Sequence, residues 1–418
     1  MTTVAFKTLG CKLNQYETEA VRAGVEGAGF RTVPFDEAAA CYVINTCTVT
    51  HRSDYKSRQL VRRVCRERPD ARVIVTGCYA ELAPEVFTPL GPNVEVVPNK
   101  DKDAIPALIC GDPAAATPRV TRFATKTRLF LKTQDGCDHA CAYCAVVAAR
   151  GPSRSRPAGE VLDDARAATA AGVKEIVLVG VDLGSYGRDL ERRRSLAGLC
   201  AELSNLAGDF RLRLSSVDVA DFGPALVAEL AAGGRLCPHV HLPLQAADDR
   251  VLRRMRRRYR ADDYRRLCYE LLERVPDVAI GADVIAGLPG EDAKAFEANR
   301  SLVDELPFAY LHVFPYSPRP GTDAAAMADR PSPDERERRA ALLRDMAAAK
   351  KASYGRRFAG AVRRVLVEET RRGDGGAMVG LTDNYLHVAL DGYEGPGNVF
   401  VDVRLSEGEG RLTATPAL

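Results

Sequence analysis

The sequence has no run of about 18 apolar residues, so no transmembrane helix is expected. Its first residues, Met1-Thr2-Thr3-Val4-Ala5-Phe6, lack both the basic start and the apolar core of a signal peptide, and read as the first strand of a domain. Charge of one sign is also scarce. Lys and Arg number 59 against 56 Asp and Glu, and a net charge of +3 says nothing about nucleic acid by itself; only the local distribution is informative. With no secretion signal, the twelve cysteines argue for a reducing compartment, the cytoplasm, with thiols available for metal or catalysis instead of a disulfide framework.

What is present is ordinary in bulk and unusual in detail. A chain of 418 residues, 46% hydrophobic and 28% charged, is that of a soluble globular protein with two or three domains. The most informative stretch is Cys137-Asp138-His139-Ala140-Cys141-Ala142-Tyr143-Cys144, just after the strand-like run Leu129 to Thr133. Three thiolates at i, i+4 and i+7 are one ligand short of the four that an iron–sulfur cluster takes from cysteine, which keeps one iron open. A zinc site completed by His139 or a remote cysteine, and three unrelated core cysteines, are the alternatives on spacing alone.

Residues 1–120 alternate short apolar runs with helical stretches, the pattern of a parallel α/β domain. Val4 to Leu9, Tyr42 to Ile44 and Arg72 to Thr76 are the strand candidates, and Cys11, Cys47 and Cys78 follow them in turn. In an open parallel sheet the carboxyl ends of the strands form the ligand crevice, so these three cysteines are expected to converge on one rim. Cys41 and Cys65 fall outside that pattern and read as ordinary buried residues.

After a loop rich in Ala and Pro at 111–117, strand candidates at 128–133, 175–180, 211–215, 238–242, 279–285 and 310–314 alternate with helices. Six such units over 122–350 predict a partial (β/α)6 barrel. Glycine and polar residues gather at their ends: Gly180, Asp182, Ser215, Asp218, His241, Gln245, Asp283 and the stretch from Phe314 to Ser317. A charged helix capped at Ser332-Pro333 then leads to period-two runs at 361–367, 385–390 and 398–403, which predict a small β-barrel over 355–418.

With these residues in place, the chain resembles the methylthiotransferases of the radical S-adenosylmethionine (SAM) superfamily over essentially its whole length. The resemblance rests on Thr8-Leu9-Gly10-Cys11-Lys12-Leu13-Asn14-Gln15-Tyr16-Glu17, Asn45-Thr46-Cys47, Gly77-Cys78, the Cys137/Cys141/Cys144 motif, His241 to Gln245 and Asp283 to Glu291. Gly380 to Tyr385 stands where a C-terminal TRAM barrel has its own motif. Leu311 to Thr322, the Lys12 to Glu17 version of the first motif, and Arg150-Gly151 with Arg154 to Arg156 make it most similar to the MtaB-type branch. That branch acts on N6-threonylcarbamoyladenosine at position 37 of tRNA, beside the anticodon. Other branches use isopentenyladenosine-37 or an aspartate of a ribosomal protein. The segment Ala145 to Ala149, the pair Ala246-Ala247, and Asp218 depart from the usual family pattern.

The resemblance implies two 4Fe–4S clusters. Cys137, Cys141 and Cys144 would hold the one that binds SAM and yields a 5′-deoxyadenosyl radical; Cys11, Cys47 and Cys78 would hold the auxiliary one that delivers sulfur. A second SAM would supply the methyl group. Gly180, Ser215, Gln245 and Asp283, with the rings of Tyr143 and Tyr316, are the expected SAM contacts. Expected partners are the tRNA anticodon stem-loop, a sulfur source, and an electron donor such as flavodoxin or ferredoxin, with no membrane. The run Arg253 to Arg260 and the basic helix with Arg52, Lys56, Arg58, Arg62 and Arg63 could contact phosphates, or be solvated faces. A zinc-stabilised RNA-binding protein is the non-enzymatic alternative.

Overall fold

The computed structural model describes residues 2–112, 120–124, 126–371, 376–408 and 411–417. Most of the expected Ala/Pro loop at 111–117 lies outside them. The chain forms two compact units. One holds Met1–Ala124, Gln134–Arg154 and Ser317–Ala325; the other holds Thr125–Thr133, Ser155–Tyr316 and Ala326–Leu418. Contiguous domains at 1–120 and 122–350 are thus not how the contacts divide: the Cys137–Cys144 loop packs with the N-terminal elements.

The first unit is built on a parallel sheet of β1 (Thr3–Thr8), β2 (Arg31–Val33), β3 (Cys41–Thr46), β4 (Arg72–Gly77) and β5 (Val94–Val96), in the order β2-β1-β3-β4-β5. The central strand β3 is buried along its whole length, as expected of a continuous apolar run covered on both faces. Side chains alternate across the pleat. Tyr42, Ile44, Val73 and Val75 pack with Val61 and Val64 of α2 (His51–Glu67), while Val43 and Ile74 pack with Val21 and Val25 of α1 (Lys12–Gly27). Thr50 caps α2, its hydroxyl accepting from the Ser53 N–H. The short edge strands β2 and β5 carry too few apolar residues to stand out in the sequence.

In the second unit, strands Leu129–Lys132, Glu175–Val179 and Arg211–Leu214 form one parallel sheet, and His239–His241, Ala279–Ala286 and Tyr310–Pro315 another. Single bridges, Leu212 with Leu236 and Ser216 with His241, join the two. The six strands thus lie in sequence order, the expected partial (β/α)6 barrel. Ser332 caps the helix Pro333–Arg356, accepting from the Glu335 N–H. The C-terminal residues close a five-stranded barrel of Val362–Arg371, Met378–Thr382, His387–Leu390, Phe400–Gly408 and Arg411–Pro416.

Buried charge ties this small barrel to the larger one. Glu175, fully buried, accepts from Arg211 Nε at 2.6 Å and Arg213 Nε at 2.8 Å. The same guanidinium groups donate to the carbonyls of Leu381, Thr382 and Asp383 at 2.8–3.1 Å. Burial opposes the Glu175 anion, but Arg213 and Arg211 hold its carboxyl far below the usual range.

Candidate functional site

Parallel register brings the strand-end cysteines of the first unit together. Thr46 pairs with Gly77, and the next residues on each strand are Cys47 and Cys78. Thr8 pairs with Asn45, which sets Cys11 on the same rim at the start of α1. Gly10 makes the approach possible. It sits at φ +102°, and a Cβ there would meet Cys47 Cβ at 2.7 Å and its Sγ at 2.8 Å. Burial above all, then the neighbouring Cys78 and Cys11 thiols, push Cys47 up to about 11. At neutral pH that thiol keeps its proton unless a cation replaces it. Three mutually interacting thiols beside a glycine cradle fit the cluster the family resemblance implies.

A buried ion network lies behind this rim. Arg150 donates to Glu17 at 2.8 and 3.1 Å, to Asp135 Oδ1 at 2.9 Å and to Asn14 Oδ1 at 2.5 Å. Lys102 donates to the same Glu17 at 2.6 Å. Against the cost of burial, Glu17 and Cys78 hold the Arg150 guanidinium well above its usual value. Asn14 also donates to the carbonyls of Leu9 and Thr46, each at 3.0 Å, and so links the turns before Cys11 and Cys47. The sequence marked Arg150, Asn14 and Glu17 only as family motif residues; their mutual contact needed the fold.

The Cys137–Cys144 loop is pinned at its base, where the Cys137 N–H donates to the Gly151 carbonyl at 3.1 Å. Gly136, at φ +68°, has no room for a Cβ, which would lie 1.9 Å from the Pro152 oxygen. Backbone amides face two of the sulfurs: His139 N lies 3.3 Å from Cys137 Sγ and Val146 N lies 3.4 Å from Cys144 Sγ. Amides aimed at sulfur stabilise thiolate charge and tune cluster potential, so this donor set also fits a cluster. All three cysteines, and Tyr143 within the loop, are half-buried.

The segment Ser317–Ala325 belongs to this unit too. Ser317 Oγ accepts from the His51 N–H at 3.1 Å, and the Ala324 N–H donates to the Ala142 carbonyl at 2.8 Å. Arg319, 5% exposed, donates to Thr48 Oγ1 at 2.8 Å and pairs with Asp54. Arg319 was quoted in the sequence motif without a role.

In the second unit, Gly180 and Ser215 directly follow strands Glu175–Val179 and Arg211–Leu214. Ser215 is buried, and among the described residues its hydroxyl has no hydrogen-bond partner. Gln245 adopts φ +60° and bridges to Val284, its N–H donating to the Asp283 carbonyl at 2.8 Å. Ser215 and Gln245 therefore follow successive strands, whereas Asp283, expected at a strand end, lies within the strand Ala279–Ala286. Asp283 Oδ1 accepts from His241 Nε2 at 3.1 Å and His312 Nδ1 at 3.0 Å. Burial opposes the anion, yet those two imidazoles hold Asp283 far below its usual range. Tyr310 spans His239 and His241 through its hydroxyl at 2.9 and 3.0 Å, its ring lying over Gly281 where a Cβ would clash at 2.1 Å. Tyr316 is buried, with its hydroxyl unpartnered among the described residues and its carbonyl accepting from Arg336 at 2.6 Å. His312 was quoted in the sequence motif without a role, and Tyr310 was not singled out, because a polar residue inside a short apolar run carries no periodic signal.

The expected phosphate-binding run is partly occupied by acids. Arg254 pairs with Asp329 and Arg258 with Asp221, each at 2.5 Å, and Arg257 pairs with Asp218. On α2, Arg52, Lys56, Arg62 and Arg63 are exposed, and Arg58 donates to Tyr79 at 2.6 Å. No helix among the described residues is long and apolar enough to cross a membrane.

Comparison with known proteins matches residues 3–98 to the model described as Uncharacterized protein family UPF0004, and residues 131–303 to the Radical SAM superfamily. The threonylcarbamoyladenosine tRNA methylthiotransferase MtaB of Bacillus subtilis is 36% identical, covering 97% of this chain and 94% of the relative. The tRNA-2-methylthio-N(6)-dimethylallyladenosine synthase of Geobacter metallireducens is 32% identical over 96% and 95%. Among solved structures, the radical SAM methyltransferase TsrM of Kitasatospora setae shares the fold at 15% identity and a TM-score of 0.55, over 78% of this chain and 77% of that one.

Proposed function

This chain belongs to the radical SAM tRNA methylthiotransferase family, and on that premise we propose that it methylthiolates carbon-2 of N6-threonylcarbamoyladenosine at position 37 of tRNA. The family's cofactors are 4Fe–4S clusters and SAM. When bound, they supply a 5′-deoxyadenosyl radical, a sulfur and a methyl group, at an adenine carbon with no acidic proton for ordinary base catalysis.

The observation that carries the reading is the gathering of two cysteine triads in one compact unit, each with its own supporting polar frame. Cys137, Cys141 and Cys144 hold the cluster that binds SAM, and the amides of His139 and Val146 stabilise charge on two of its sulfurs. Cys11, Cys47 and Cys78 hold the auxiliary cluster. There Asn14 fixes the two neighbouring turns, and Arg150 balances the negative charge. Ser215, Gln245 and Asp283, with Gly180, Tyr143 and Tyr316, orient SAM; the unpartnered hydroxyls of Ser215 and Tyr316 support that role.

The choice of target base is supported by the 36% identity to the Bacillus subtilis relative, against 32% for the Geobacter metallireducens one. Nucleoside mass spectrometry of tRNA from cells with and without the gene tests it. The expected result is loss of 2-methylthio-N6-threonylcarbamoyladenosine on deletion. Loss of the methylthio-isopentenyl nucleoside in its place would overturn the target and keep the chemistry.

A further inference from the structure

One face of the last two barrel strands is open. Asp283 and Ile285 alternate with buried neighbours on strand Ala279–Ala286, and His312 and Phe314 are the exposed positions among half-buried neighbours on Tyr310–Pro315. Register pairs Asp283 with His312 and Ile285 with Phe314, so the four side chains share that face. His312 is 57% exposed and Phe314 is 38% exposed, unusual for residues inside a barrel strand.

The His312 ring is nevertheless fixed. Its Nδ1 faces Asp283 Oδ1 at 3.0 Å, and its Nε2 makes no hydrogen bond among the described residues. Asp283 accepts from His241 on the same oxygen, and His241 is in turn oriented by the Tyr310 hydroxyl. Thus an imidazole with one nitrogen committed to a carboxylate stands beside an exposed aromatic ring. That pairing suits a planar base bearing an anionic substituent: the base stacks on the ring and the anion meets the second imidazole nitrogen.

We propose that Phe314 and His312 select the substrate, Phe314 by stacking on the adenine and His312 by donating from Nε2 to the carboxylate of the N6-threonylcarbamoyl group. This rests on the target proposed above. The groups facing His312 are Asp283, His241 at a ring distance of 5.4 Å and Tyr310 at 5.3 Å, all on this barrel's strands. Asp283 acts through His312 and is a positioning residue for this recognition.

The test uses the full-length, anaerobically reconstituted enzyme and two anticodon stem-loop RNAs, one carrying threonylcarbamoyladenosine and one with its carboxylate converted to the neutral amide. The wild type is expected to show a KM roughly ten- to hundredfold lower for the acid. His312→Ala should raise the KM for the acid to that for the amide and leave the KM for the amide unchanged. His312→Gln, which retains a neutral donor, should recover part of the loss. Phe314→Ala should raise both RNA KM values together by about tenfold. Equal losses on the two RNAs in His312→Ala would overturn the proposal. A wild type active only on isopentenyladenosine RNA would remove the target itself and this inference with it.

Discussion

Arg150 and Glu17, 133 positions apart in sequence, form a bidentate pair: Nη1 donates to Oε1 at 2.8 Å and Nη2 to Oε2 at 3.1 Å. Both side chains are more than nine-tenths buried, and Lys102 and Asp135 complete a four-charge network. The pair joins the helix that follows Cys11 to the segment that follows Cys144, so it ties the supports of both cysteine triads together.

Removing one partner of such a pair strands the others. Glu17→Gln keeps the shape but leaves the Arg150 and Lys102 cations without their shared anion, and should cost about 3–5 kcal/mol of stability. Denaturant unfolding of the metal-free protein measures this. Iron should also be lost first from the Cys11/Cys47/Cys78 triad, read as a lowered iron-to-protein ratio.

The two triads have separable duties under the proposed function. Cys141→Ala should abolish SAM cleavage, followed as 5′-deoxyadenosine release. Cys47→Ala should leave cleavage intact and stop sulfur insertion, with iron falling from about eight to about four per chain. Equal loss of cleavage in both variants would contradict the division.

Gly10→Ala tests the cradle. Its Cβ would meet Cys47 at 2.7 Å from a backbone at φ +102°, so the turn must shift, at a cost of about 1–3 kcal/mol. Auxiliary iron should be lost while the Cys137 triad keeps its own, visible as half-occupancy in iron analysis and a surviving SAM-responsive EPR signal.

Glu175 gives a pH dependence. Its folded pKa is depressed below the ordinary 4.5, chiefly by Arg213 and Arg211 acting against burial. The unfolded chain therefore takes up the proton first, and the stabilisation, complete above that value, is lost as pH falls below about 4.5. Chemical denaturation between pH 5 and 3 should show this slope, reduced in Glu175→Gln, which is also less stable at pH 7 because Arg211 and Arg213 lose their anion.

The sequence alone determined the family. The strand-end cysteines and the Cys137 motif are local patterns, and the alternation of strand and helix sufficed to predict which end of each strand they occupy. It also determined the architecture, because β3, the six barrel strands and the Ser332 cap carry strong local signals. The short strands β2 and β5 left no such signal. Tertiary structure decided the charge partners. Arg150 with Glu17, Arg319 with Asp54, and Glu175 with Arg211 and Arg213 involve residues that are unremarkable in a linear reading, since most charged side chains are solvated. Only packing shows which of them lost water and had to be paired. It also decided which compact unit claims the Cys137 loop, because Arg150, on the helix that follows the loop, hydrogen-bonds to side chains far away in sequence.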